Sequence, residues 1–205
     1  MFSFRKFLQD IIRFKGAMLV SLLLFVTGVV LGAINADSIT RWILPDIERL
    51  GEYSRRLSQS EHPELSFFVF IFFNNALKSI GVMALGALFC LIPAFFLFMN
   101  GLALGYVVVA AGAHGESTMS LILRGLLPHG IIEIPAILVA AAFGLQFGYL
   151  VIKSLGERGS RDASERTVEW RKFFVSAGRA AFWIVILLLI AAAVESTLTF
   201  YLMGG

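Results

Sequence analysis

Three ionisable residues stand inside apolar stretches of this 205-residue chain. His129 and Glu133 are four residues apart, a spacing that puts both side chains on one face of a helix. Glu195 lies within the last apolar run. An ionisable side chain is costly inside a membrane unless it is paired or hydrated, so it usually faces a bundle interior or a polar cavity. The three residues therefore predict either a structural network or a pathway for protons or cations.

The two interpretations assign different roles to the same side chains. In the structural one, His129 donates to a carboxylate, the carboxylates accept hydrogen bonds from Asn75 or Asn100, and the network fixes helix register. In the functional one, the acids and the histidine bind a cation or relay protons. One histidine and two carboxylates are a thin ligand set for a metal. We therefore expect no metal site and no cofactor.

Motifs of the common hydrolases are absent from the sequence. No serine stands in a Gly-x-Ser-x-Gly element, no paired aspartates mark an aspartyl protease, and no P-loop is present. Cys90 is the only cysteine, so an intrachain disulfide is impossible. We expect a protein that is not an enzyme.

Composition indicates a membrane protein. Hydrophobic residues make up 58% of the chain and charged residues 15%, whereas soluble domains carry about 25% charged residues. The formal charge of +3 is small, and the basic residues cluster beside apolar runs. That placement favours contact with the lipid bilayer over nucleic acid.

The apolar runs predict an all-α, polytopic transmembrane helical bundle of about five spans, forming a single membrane domain. The first span runs from Ala17 to Ala36, the fourth from Leu126 to Ile152 and the fifth from Ala180 to Met203. Ser66 to Ala113, about 48 residues, is long enough for two crossings divided near Phe89 to Pro93. An alternative makes Phe67 to Asn75 interfacial and the third span short or re-entrant at Asn100-Gly101.

Basic residues set the predicted orientation. They cluster in the N-terminal segment and between the last two spans, at Arg5, Lys6, Arg13, Lys15, Lys153, Arg158, Arg161, Arg166, Arg171, Lys172 and Arg179. The positive-inside rule places both segments in the cytoplasm, which requires an even number of crossings between them. We expect a plasma-membrane protein with a cytoplasmic N-terminus and an extracytoplasmic C-terminus.

Amphipathic patterns predict helices outside the spans. Residues 1–16 form a cytoplasmic interfacial helix, residues 37–64 an extracytoplasmic helical segment, and residues 153–179 a cytoplasmic loop. The extracytoplasmic segment has an apolar stripe at helical spacing, formed by Ile47, Leu50, Tyr53 and Leu57. The stripe either packs on its own bundle or docks a partner.

Three pairs of glycines have the small-xxx-small spacing that lets membrane helices approach closely. The pairs are Gly28 and Gly32, Gly101 and Gly105, and Gly144 and Gly148. They predict tight packing within the chain, and at least one pair is a candidate homodimer interface.

An ordered set of motifs resembles the stage II sporulation protein M family of multi-pass membrane proteins. The motifs are Asn74-Asn75, the segment from Asn100 to Gly105, Pro128-His129-Gly130 with Glu133, and Glu195. The resemblance implies a compact helical membrane protein without known catalytic activity. In spore formers the namesake acts with a second membrane protein and a cell-wall hydrolase. We therefore expect a non-catalytic scaffold in envelope remodelling, with an extracytoplasmic envelope protein or cell-wall hydrolase as its partner. A small ion- or proton-coupled transporter or channel is the alternative.

Overall fold

The computed structural model describes residues 2–113, 127–157 and 167–202. Every regular element within these ranges is a helix, which confirms the all-α prediction. The seven described helices are α1 (Phe4–Arg13), α2 (Lys15–Ile34), α3 (Ala36–Ser58), α4 (Pro63–Leu85), α5 (Leu91–Ala113), α6 (Leu127–Glu157) and α7 (Trp170–Leu202).

Five of these helices, α2 and α4 to α7, are long and apolar enough to cross a membrane. The break predicted near Phe89 is confirmed, because α4 ends at Leu85 and α5 begins at Leu91. Both helices are continuous through Asn75 and Asn100, which favours two full crossings over an interfacial segment at Phe67 to Asn75 and a re-entrant third span. The Asn100 Nδ2 donates to the Phe96 carbonyl one turn earlier, 2.8 Å away, so the amide finds a partner within its own helix.

The close pairing of α2 with α5 fixes their relative direction. Gly28 lies against Gly101 and Leu102, and Gly105 lies against the backbone of Val29 and Ala33. Residue numbers rise together along both helices, so α2 and α5 run parallel. Two parallel neighbours need a return crossing between them, and α4 supplies it.

The turn between α4 and α5 packs against α6. A Cβ added at Gly144 would lie 2.6 Å from the Val82 carbonyl oxygen. A Cβ added at Gly148 would come similarly close to backbone atoms of Gly86 and Cys90. The Cys90 thiol donates to the Leu145 carbonyl at 3.2 Å. Phe89 and Cys90 have φ values of 54° and 67°, a region that costs free energy for residues with a Cβ. A side chain at Gly148 would push this strained turn off α6.

α1 packs along the first turns of α7 and runs antiparallel to it. Phe7 is 2% exposed, and its ring and that of Phe4 both contact Trp183. Leu8 and Ile12, on the neighbouring edge of α1, are exposed in the isolated chain. The predicted helix therefore exists as α1, and one edge of its apolar stripe packs on the bundle. Its place at the cytoplasmic membrane interface stays a prediction.

The segment predicted as a cytoplasmic loop, residues 153–179, is shorter than its sequence indicated. Lys153 to Glu157 are the last turn of α6, and Trp170 to Arg179 are the first turns of α7. At the end of α6, Glu157 forms an ion pair with Lys153 at 3.8 Å and accepts a hydrogen bond from the Thr167 hydroxyl at 2.6 Å. Residues 158–166 lie outside the described part of the chain.

Candidate functional site

The two intramembrane acids lie on the two longest helices. Glu133 is on the second turn of α6 and Glu195 is near the end of α7, and both side chains are partly buried. Glu133 makes a polar or electrostatic interaction in the structure. His129 lies one turn before Glu133 in α6, and only its backbone is described.

The two asparagines of the predicted network form their hydrogen bonds locally. Asn75 Oδ1 accepts from Asn74 Nδ2 at 3.2 Å, and Asn100 donates to its own helix. Neither side chain bonds a carboxylate within the described residues. The joint network of His129, Glu133 and Glu195 stays a prediction.

The six packing glycines all lie at contacts within the chain. Gly28, Gly32, Gly101 and Gly105 form the seam between α2 and α5, while Gly144 and Gly148 lie against α4 and the turn that follows it. At all six, an added Cβ would lie 2.0–2.6 Å from a neighbouring backbone atom, closer than real Cβ atoms come.

The predicted docking stripe lies on α3. The Tyr53 ring is 51% exposed and stacks on Phe70 of α4 with ring centroids 5.9 Å apart, and Leu57 is partly buried. Ile47 and Leu50 lie on the same helix, with only their backbone described. The opposite side of α3 carries exposed charged residues, namely Glu48, Arg49, Glu52, Arg55 and Arg56.

The most deeply buried charges lie at the other end of the bundle, where sequence analysis did not look for a site. Asp10 of α1 forms an ion pair with Arg179 of α7, and both side chains are 10% exposed. The Ser176 hydroxyl donates to the second carboxylate oxygen of Asp10 at 3.0 Å. A charge withdrawn from water needs such partners to be tolerated.

A spacing signal for this cluster exists in the sequence. Asp10 stands three residues after Phe7 and four before Phe14, which places it at the edge of the apolar face of α1. Ser176 and Arg179 are three residues apart and share a face of α7. The pairing itself was hidden because 169 residues separate Asp10 from Arg179.

A charged rim surrounds this ion pair. Glu169 contacts Lys172 at 2.5 Å and Arg13 at 3.9 Å, and all three side chains are at least half exposed. The hydrogen bond from Lys172, together with its charge and that of Arg13, lowers the pKa of Glu169 below its ordinary value. Glu169 is therefore ionised at neutral pH.

Comparisons with known proteins agree with this architecture. The family model described as Stage II sporulation protein M matches residues 21–200. A protein of Methanocaldococcus jannaschii, itself named only as uncharacterized, is 27% identical over 186 residues, which cover 90% of this chain and 94% of the relative. No solved structure matches the chain. The family match covers most of the chain and reaches each of the five apolar helices, so the chain belongs to the stage II sporulation protein M family.

Proposed function

We propose that this protein is a non-catalytic membrane scaffold that positions an extracytoplasmic partner during remodelling of the cell envelope. The observation that carries the proposal is α3, a 23-residue helix with a charged side, attached to one end of a close-packed bundle. The stacking of Tyr53 on Phe70 attaches it to α4. Family membership supports the proposal, because the namesake works beside a second membrane protein and a cell-wall hydrolase.

Charge supports the side of the membrane on which α3 acts. The 20 residues of α2, about 30 Å of helix, separate α3 from α1. The basic residues of α1 and of the first turns of α7 gather at the α1 end, which the positive-inside rule assigns to the cytoplasm. On this assignment α3 faces the outside of the plasma membrane, where a cell-wall hydrolase acts.

The close packing of the helices supports a rigid scaffold over a transporter, which must change conformation. α2 meets α5 backbone to backbone, and α6 meets α4 in the same way, through glycines that leave no room for a side chain. Such contacts favour one arrangement of the helices. A scaffold needs that rigidity to present α3 at a constant height above the membrane.

A small ion- or proton-coupled transporter is the second candidate. Glu133 and Glu195 favour it, because both carboxylates lie within apolar membrane-spanning helices. Intramembrane acids often line a pathway for protons or ions. The two candidates differ in what they require of Glu133 and of α3.

Two variants separate the candidates in cells that lack the native protein. The double reversal Arg55→Glu/Arg56→Glu changes the exposed side of α3, and Glu133→Gln keeps hydrogen bonding but cannot exchange a proton. For a scaffold, the α3 variant loses partner co-purification and fails to restore envelope shape, whereas Glu133→Gln retains both. Glu61→Lys, in the exposed turn after α3, is the control and should retain both.

Flux through proteoliposomes completes the experiment. A folded Glu133→Gln variant that binds its partner but has lost an ion or proton flux present in the parent would overturn the scaffold in favour of the transporter. Unchanged partner recovery with the α3 double reversal would also contradict the proposal, because the charged side of α3 would then have no role.

A further inference from the structure

A cleft of about 550 Å³ lies between α1 and the first turns of α7, apart from every residue assigned to the proposed function. Its volume falls within the range of about 300–1,000 Å³ that is typical of small-ligand sites. Four cations, Arg13, Arg171, Lys172 and Arg179, and two acids, Asp10 and Glu169, line it. Four positive and two negative charges leave the cleft with a net charge of +2.

The buried carboxylate at the floor of the cleft has its charge balanced and its oxygens hydrogen-bonded. Asp10 is bonded by Arg179 and by the Ser176 hydroxyl, and the two charged side chains are only 10% exposed. This pair fixes α1 against α7 and thereby sets the shape of the cleft. The surplus positive charge therefore lies on the rim.

The rim has more cations than its single acid can neutralise. Lys172 is close to Glu169, but Arg13 is 3.9 Å away, a long separation for an ion pair. Arg171 forms no ion pair with any described residue and is exposed. Two arginines and a lysine thus surround one carboxylate.

We propose that this cleft binds a phosphate group, with Arg171, Lys172 and Arg13 as its ligands. An arginine guanidinium donates two parallel hydrogen bonds to a phosphate, and a lysine adds a compact charge. Trp170 directly precedes Arg171, and Leu8 and Ile12 of α1 are exposed. Aromatic and apolar side chains beside cations are typical of the level at which anionic lipid headgroups lie. An anionic lipid headgroup and a free phosphate ester share this chemistry.

The experiment uses the full chain in nanodiscs of phosphatidylcholine and measures the midpoint of thermal unfolding. One arm titrates inorganic phosphate and glycerol 3-phosphate, and the other replaces part of the phosphatidylcholine with phosphatidylglycerol. Stabilisation in the first arm identifies a soluble phosphate ester, and stabilisation in the second alone identifies a lipid headgroup. Stabilisation in neither arm overturns the proposal.

Charge-matched variants distinguish a site from general attraction to a charged surface. Arg171→Gln should weaken the apparent affinity by about fivefold, whereas Lys6→Gln, an exposed basic residue of α1 outside the cleft, should change it little. Glu169→Gln should strengthen binding by a similar factor, because it removes the competing carboxylate. Equal losses for Arg171→Gln and Lys6→Gln, or no gain for Glu169→Gln, would show that no defined site exists.

Discussion

At the scale of residues, the buried pair of Asp10 and Arg179 sets the position of α1. Its partners come from the two ends of the chain, so it joins the N-terminal segment to the last span. A buried ion pair contributes little net stability against an apolar replacement, but loss of one partner leaves a buried charge uncompensated. The main effect of the pair is therefore to specify where α1 packs on α7.

Asp10→Ala should destabilise the protein by about 3–5 kcal/mol, because it leaves Arg179 buried without its carboxylate. The double variant Asp10→Leu/Arg179→Met should be less destabilised than Asp10→Ala, because it removes both charges. Denaturation in detergent measures both effects, with Arg13→Ala as the exposed control, for which we expect a much smaller change. A double variant that is as unstable as Asp10→Ala would show that the charges are not the cause.

The residues of the predicted polar network show what spacing can and cannot reveal. His129 and Glu133 do fall on one helix, since four-residue spacing is a local property of the chain. Asn75 bonds its neighbour Asn74 and Asn100 bonds its own helix, and neither reaches a carboxylate in the described part of the chain. Asparagine readily bonds its own backbone or a neighbour, and a hydropathy pattern contains no information on which partner it chooses.

At the scale of elements, the glycine seams determine how the spans pack. Without a hydrophobic driving force between helices in lipid, association depends on close backbone approach. All six predicted packing glycines lie against the backbone of another part of the same chain. A homodimer, which we propose as the oligomeric state, must therefore use other surfaces of the bundle.

Gly105→Ala should destabilise the protein by about 1–3 kcal/mol, because its methyl group would overlap the Val29 carbonyl and separate α5 from α2. Gly81→Ala is the matched control, since nothing lies within 4 Å of the Cβ position at Gly81. Alanine favours a helix over glycine, so the control should be neutral or stabilised by up to about 1 kcal/mol. Equal losses at both positions would mean that helix contact is not what Gly105 provides.

The existence of the helices was predictable, and their exact ends were less so. Long apolar runs with turn residues near Phe89 gave five spans in the right order, because hydropathy and length are local properties. The continuation of α6 to Glu157 and the start of α7 at Trp170 were missed, because both helix ends contain charged residues that a hydropathy pattern assigns to a loop. The contact of α1 with α7 depends on residues far apart in sequence, which periodicity cannot pair.

At the scale of the whole molecule, charge and shape divide the protein into two ends. One end carries the ion pair and the basic cleft, and the other carries α3 with its exposed charged side. The parallel pairing of α2 with α5 requires that the chain cross the membrane again between them. The proposed roles of both ends depend on which end faces the cytoplasm.

Cysteine labelling in intact cells tests this orientation directly. In a Cys90→Ala background, one variant carries Glu52→Cys, on the exposed side of α3, and the other carries Gly156→Cys, at the exposed end of α6. With a membrane-impermeant thiol reagent, we expect Glu52→Cys to be labelled in intact cells and Gly156→Cys only after permeabilisation. Labelling of Gly156→Cys in intact cells, with Glu52→Cys protected, would contradict the account, because α3 would then face the cytoplasm.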